Sequence, residues 1–104
     1  MDPTIKKLAI KKAAQSSCRH KVSALGFSHK GDLIYIGSNR PRFHRPGASL
    51  HAEMLCMLRA GPGLKTIIIC RVGKGGDVKP IDPCKTCKEK ARELGIKIIS
   101  VEEA

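Results

Sequence analysis

The chain has 104 residues, enough for one domain near the lower end of comfortable core size. Twenty Lys and Arg against nine Asp and Glu give a net charge of +11, a field that draws phosphorylated ligands and polyanions to the surface. No apolar run approaches a membrane span, Met1 to Lys7 has no signal-peptide core, and an odd set of five cysteines fits a reducing cytoplasm better than a secreted disulfide frame.

Residues 4–15 read as an amphipathic helix, with Ile5, Leu8, Ala9 and Ala13 near one face and four lysines on the rest. Residues 21–28 read as a strand, with Val22, Ala24 and Gly26 on one side and Leu25 and Phe27 adding apolar bulk. His29-Lys30-Gly31-Asp32 turns the chain into a second strand at 33–37, so the two make an antiparallel hairpin. From Ser38 to Gly47, two prolines and a glycine exclude a regular element. This loop carries Arg40, Arg42, Phe43 and Arg45. Arginine suits phosphate and a phenyl ring can stack on a base, so these four are candidate substrate-binding residues. The plainer alternative is a solvated connection or a subunit contact.

A helix follows at 50–60, with Ser49 in a cap-like role and Met54, Leu55 and Leu58 directed to the core, together with Cys56 or Met57. Gly61-Pro62-Gly63 stops it. Residues 65–72 form a nearly continuous apolar strand, the mark of a central strand covered on both faces. A glycine-rich turn and a lead-in over 78–82 precede a helix at 84–94, with Asp82 as N-cap and Pro83 as its first residue. Gly95 ends that helix, and 96–101 is the last strand. The expected fold is a single α/β domain over residues 1–104, a three-layer α-β-α arrangement around a mixed sheet of about four strands. Right-handed crossovers bring the 38–50 loop and the Asp82 turn to the carboxyl ends of strands, where sites in such sheets lie.

Two short stretches carry the chemistry: His51-Ala52-Glu53 and Pro83-Cys84-Lys85-Thr86-Cys87. A catalytic zinc takes three protein ligands and keeps a fourth position open. His51, Cys84 and Cys87 supply three, because Cys-x-x-Cys in a first helical turn puts both sulfurs on one side. The positive end of the helix dipole favours thiolate there. Glu53 lies two residues beyond the histidine, close to the ion and free to move protons. Two other readings compete. A lone Cys-x-x-Cys serves as half of a structural zinc site, but Cys18, Cys56 and Cys70 form no second such pair. A thioredoxin-like redox pair follows a strand directly, whereas thirteen residues separate Cys70 from Cys84.

His-x-Glu followed by Pro-Cys-x-x-Cys resembles the cytidine/deoxycytidylate deaminase superfamily, which includes tRNA adenosine deaminases and polynucleotide cytosine deaminases. The likeness runs from Val22-Ser23-Ala24 to Ile98-Ile99. It implies a cytidine-deaminase-like fold, Zn2+ on His51, Cys84 and Cys87, and Glu53 as proton shuttle. It also implies that Asn39 contacts the sugar and that Ala24, with Ala52, lines the base pocket. Asn39-Arg40-Pro41 looks like the matching stretch of the tRNA enzymes. Ser23 stands where the family has glycine, a change expected at the pocket wall. Members of the family usually continue with a further helix and strand, so this chain reads as a minimal version whose last strand is an open edge. A homo-oligomer is expected to cover it.

The function expected from these residues is zinc-dependent hydrolysis of cytosine to uracil, on a nucleotide or on a base in single-stranded nucleic acid. Free cytidine or deoxycytidine, or adenosine in RNA, are alternative substrates. A non-catalytic zinc protein that binds nucleic acid is the alternative class, and Glu53 argues against it, since a structural site has no need of that carboxylate.

Overall fold

A computed structural model describes residues 2–41 and 49–102. Helix α1 (Pro3–Ala14) starts where Asp2 accepts a 2.8 Å hydrogen bond from the Thr4 N–H, with Pro3 in the first turn. An aspartate cap followed by proline fixes that start. Strands β1 (Lys21–Ser28) and β2 (Leu33–Ser38) form the expected hairpin, with Ala24 opposite Gly37 and Gly26 opposite Tyr35. A short ribbon follows, β3 (Arg40–Pro41) against β4 (Ser49–Leu50). Helix α2 (Ala52–Ala60) crosses over to β5 (Leu64–Val72), which turns into the two-residue β6 (Val78–Lys79). Helix α3 (Lys85–Leu94) and β7 (Lys97–Ser100) complete the fold.

The main sheet has five strands, one more than expected, because β6 pairs with the end of β5. Strand β1 lies between β2 and β5 and is antiparallel to both. Strands β2 and β5 therefore run the same way, as the α2 crossover requires, and β7 joins β5 in parallel through α3. The sheet is mixed and covered on both faces, as expected.

Side-chain alternation sorts two cores. Leu25, Phe27, Cys70 and Val72 face α1, which meets them with Ala9 and Ala13, residues small enough for close approach. Val22, Ala24, Ile67 and Ile69 face the other way, against Ala52, Cys56 and Met57 of α2 and Cys87 and Ala91 of α3. Leu25, Ile67 and Ile69 are wholly buried. Each stabilises the fold by about 1.5–3 kcal/mol relative to an exposed side chain. Leu58, expected in the core, is 69% exposed; a nine-residue helix against a sheet buries one stripe, and Leu55, Cys56 and Met57 occupy it.

Three local expectations are corrected. Arg40–Pro41 is a paired segment and not irregular, so Pro41 leaves room for a short ribbon. Strand β6 is present where only a lead-in was expected; two residues are too short to read from alternation. Both site helices begin later than expected, α2 with His51 as N-cap and α3 with Cys84 as N-cap. Among the described residues, no helix is long and apolar enough to cross a membrane.

Candidate metal centre

The late starts of α2 and α3 shape the site. His51 caps α2 with extended backbone and makes no side-chain cap bond, so its ring is free to turn toward α3. Cys84 caps α3, and its sulfur accepts from the Cys87 N–H at 3.4 Å. An N-cap sulfur sits on the positive end of the helix, as does Cys87 one turn in. Asp82 and Pro83 precede the helix and do not cap it.

His51 Nδ1 lies 3.1 Å from Cys84 Sγ and 3.6 Å from Cys87 Sγ, and the two sulfurs are 3.1 Å apart. Tetrahedral zinc with ordinary bond lengths needs donor separations of about 3.5–3.8 Å. One edge matches and two are about half an ångström tight, within reach of small side-chain rotations. Burial, the Cys84 hydrogen bond and Glu53 all push the Cys87 thiol up. Two adjacent thiolates beside a carboxylate are stable only with a cation among them, so the donor set fits a divalent metal. His51 is exposed, Cys84 half-buried and Cys87 buried, so the open side of the triangle is the His51–Cys84 side.

A cavity of about 230 Å³ opens there. His51, Cys84, Glu53 and Ala52 line one part of it, and Ile81 and Asp82 another. Glu53, 4% exposed, sits in the first turn of α2. Burial raises its carboxyl above the usual range, opposed by a hydrogen bond from its own backbone N–H and by His51. The model matching residues 2–103 is that of the cytidine and deoxycytidylate deaminase zinc-binding region. The chain belongs to this family.

As a member, the deaminase is a zinc-dependent hydrolase of cytosine-type substrates. Its fold is similar to cytidine deaminase from Mycobacterium leprae, at 25% identity and TM-score 0.65 over 94% of this chain and 86% of that one. Cytidine deaminase from Burkholderia pseudomallei aligns with TM-score 0.68 and 20% identity over 98% and 87% of the two chains. The dCMP deaminase from the cyanophage S-TIM5 gives 0.58 and 21% over 99% and 89%. No curated protein sequence matches this chain.

The deaminase distributes the other expected site residues unevenly. Asn39 lines the cavity, but it is buried and its amide is engaged: Oδ1 accepts from Ser16 Oγ at 2.6 Å and from the Val22 N–H at 3.1 Å, and Nδ2 donates to the His20 carbonyl at 2.6 Å. One amide N–H remains for a ligand. Ala24 is wholly buried in the core on the cavity's side of the sheet, and Val22, two residues earlier, is the β1 residue that reaches the cavity. Ser23 faces α1 and donates to the Ala9 carbonyl at 2.6 Å, so its exchange for glycine alters the α1 packing and not the pocket wall. Arg40 is exposed in β3. Arg42, Phe43 and Arg45 lie outside the described residues.

Two basic cavity residues have no counterpart among the expected ones: His20, just before β1, and Arg71, near the end of β5. The available signal was the pattern of β5, in which alternate residues Ile67 and Ile69 are followed by Arg71 on the same face. An arginine in that series is out of place in a dry core.

Proposed function

We propose that the deaminase hydrolyses the cytosine of a monomeric nucleoside or nucleotide, giving uracil and ammonia, within a single domain over residues 1–104. The carrying observation is the buried carboxylate of Glu53 in the same 230 Å³ cavity as the His51–Cys84–Cys87 triangle. His51, Cys84 and Cys87 would hold zinc, which supplies an activated water at neutral pH. Glu53 would take one proton from the attacking water and give it to the ring nitrogen. It would then take the second from the hydroxyl left on the ring carbon and give it to the departing amine, so the two protons taken balance the two given. Ala52 keeps the wall beside Glu53 apolar, which favours a flat base over bulk water. A cavity of this size suits one small ligand, below the roughly 300–1,000 Å³ typical of drug-sized sites.

The same reading includes a homo-oligomer. The outer edge of β7 pairs with no strand among the described residues, and such edges are normally covered. A monomer by light scattering at micromolar concentration sinks that part.

The test is uracil product by mass spectrometry from zinc-loaded protein given cytosine nucleosides and nucleotides, beside Glu53→Gln. The variant should keep its zinc and lose about 10²-fold or more in kcat. Equal turnover by Glu53→Gln overturns the assignment of the proton shuttle.

A further inference from the structure

Arg71 and His20 line the cavity without serving the zinc chemistry. Arg71 is held by register: it pairs across the sheet with Val22 on one side and Lys79 on the other. His20 sits at the mouth of β1, its carbonyl fastened by Asn39 Nδ2 at 2.6 Å. The side chains meet where Arg71 Nη2 lies 3.0 Å from His20 Nδ1. We propose that Arg71 and His20 form a receptor for the phosphate monoester of a cytosine nucleotide, which sets the deaminase to act on nucleotides in preference to nucleosides. This rests on the preceding reading that the cavity takes cytosine.

The chemistry of the pair is one-sided. A guanidinium only donates, so His20 Nδ1 is the acceptor in this contact and the ring proton sits on Nε2. What the pair has left is the rest of the arginine fork and an imidazole N–H, all donors. The arginine charge also lacks a counter-ion. Among the described residues the one ion pair joins Lys79 to Asp77, and Asp82, although it lines the cavity, does not pair with Arg71. A half-buried guanidinium at a cavity wall, with no carboxylate on it, is open to an incoming anion. Its planar fork matches two phosphate oxygens at once. Support of His20 alone would need only a neutral donor such as glutamine.

A monomeric nucleotide fits better than a strand. A terminal monoester carries more charge than a phosphodiester and can turn three oxygens to the donors. A single-stranded polymer is gripped by aromatic platforms, and among the described residues no phenylalanine or tyrosine ring lines the cavity.

The experiment compares kcat/KM of zinc-loaded protein for cytidine with 5′-CMP, deoxycytidine with 5′-dCMP, and a single-stranded cytosine oligonucleotide. The nucleotides should exceed the nucleosides by about 10²-fold, the scale of two hydrogen bonds to a charged group. Arg71→Ala should collapse that ratio to within about threefold, and Arg71→Lys should restore only part of it. His20→Ala should lower it by roughly tenfold or less. Zinc content and circular dichroism identify any variant that fails to fold. Equal rates for nucleoside and nucleotide, or a ratio unmoved in folded Arg71→Ala and His20→Ala, overturn the receptor while leaving cytosine hydrolysis intact. Preference for the oligonucleotide over both monomers overturns it in favour of a strand. If no substrate yields uracil, the functional reading fails, and calorimetry with 5′-dUMP against deoxyuridine decides the receptor. Tighter 5′-dUMP binding that is lost in Arg71→Ala supports it, and equal affinity overturns it.

Discussion

Ser16 Oγ donates to Asn39 Oδ1 across 2.6 Å, joining the segment after α1 to the end of β2. The same Oδ1 takes the Val22 N–H and the same amide donates to His20, so one side chain fixes the whole approach to β1. Asn39→Ala leaves the Val22 N–H and the His20 carbonyl without their partner, and leaves the Ser16 hydroxyl only the backbone carbonyl of residue 39, at 3.3 Å. The expected loss is about 2–4 kcal/mol in denaturant unfolding. Asn39→Asp keeps the acceptor but turns an oxygen toward the His20 carbonyl. It should be at least as destabilising at neutral pH and recover in part in acid, where the carboxyl can donate. Equal stability of Asn39→Ala and the parent would show that the clasp contributes little.

The metal triangle predicts which cysteines matter. Parent protein should carry one zinc per chain; His51→Ala, Cys84→Ser and Cys87→Ser should each drop to about a tenth of that or less by elemental analysis. Cys70→Ala, on the opposite face of the sheet, should retain the full complement. Retention of zinc by Cys87→Ser would remove that residue from the ligand set.

Thiol reactivity follows from burial. Burial and the nearby Glu53 push Cys56 up to about 12, and burial raises Cys70 as well, so neither supplies appreciable thiolate near pH 8. Alkylation of zinc-loaded protein should stop at one adduct, on the half-buried Cys18. Chelation should add Cys84 and Cys87, counted by intact mass. Rapid labelling of Cys56 in folded protein would contradict its place in the core.

Gly26 is needed for its missing side chain. A Cβ there would meet Cys56 Sγ and Leu64 Cδ1, each at 2.8 Å. Gly26→Ala should cost about 1–3 kcal/mol. Cys56→Ala removes one of the two obstacles, so the double variant should lose less than the sum of the singles. Strict additivity would place the clash elsewhere.

Tyr35 is the single tyrosine, and the chain has no tryptophan, so tyrosinate absorbance reports one site. Burial first, and then Cys56, raises its pKa, against the opposing pull of Arg59 and Arg40. The folded protein should titrate above the ordinary value of about 10, and the denatured protein near it. The unfolded chain ionises first, so this contribution to stability is complete below about pH 10 and is lost as pH rises through the folded value. A folded midpoint at or below the denatured one would reverse the sign.

The zinc set was legible because its residues are constrained by the ion itself, whose geometry demands few residue types at fixed spacing. The two cores were legible from the sides assigned over 21–28, from the nearly continuous apolar run of 65–72, which asks for cover on both faces, and from the alanines of α1. The caps were misplaced because Asp82-Pro83 carries a strong local start signal. Cys84, at which the helix begins, is an uncommon cap. Arg71 and His20 are 51 residues apart, and only the antiparallel register of β1 with β5 makes them neighbours. Ala24 and Ser23 show the converse: a motif position names a place in the chain, whereas the pleat decides which face it serves.

The metal triangle also sets a schedule. Its histidine and its first cysteine are 33 residues apart, on different helices. During synthesis the imidazole leaves the ribosome long before either sulfur, and no nascent chain ending before Cys87 can complete the triad. Metal loading thus waits until the starts of both site helices have been made. Chains folded without zinc would be held together by packing alone, with two adjacent thiols open to oxidation.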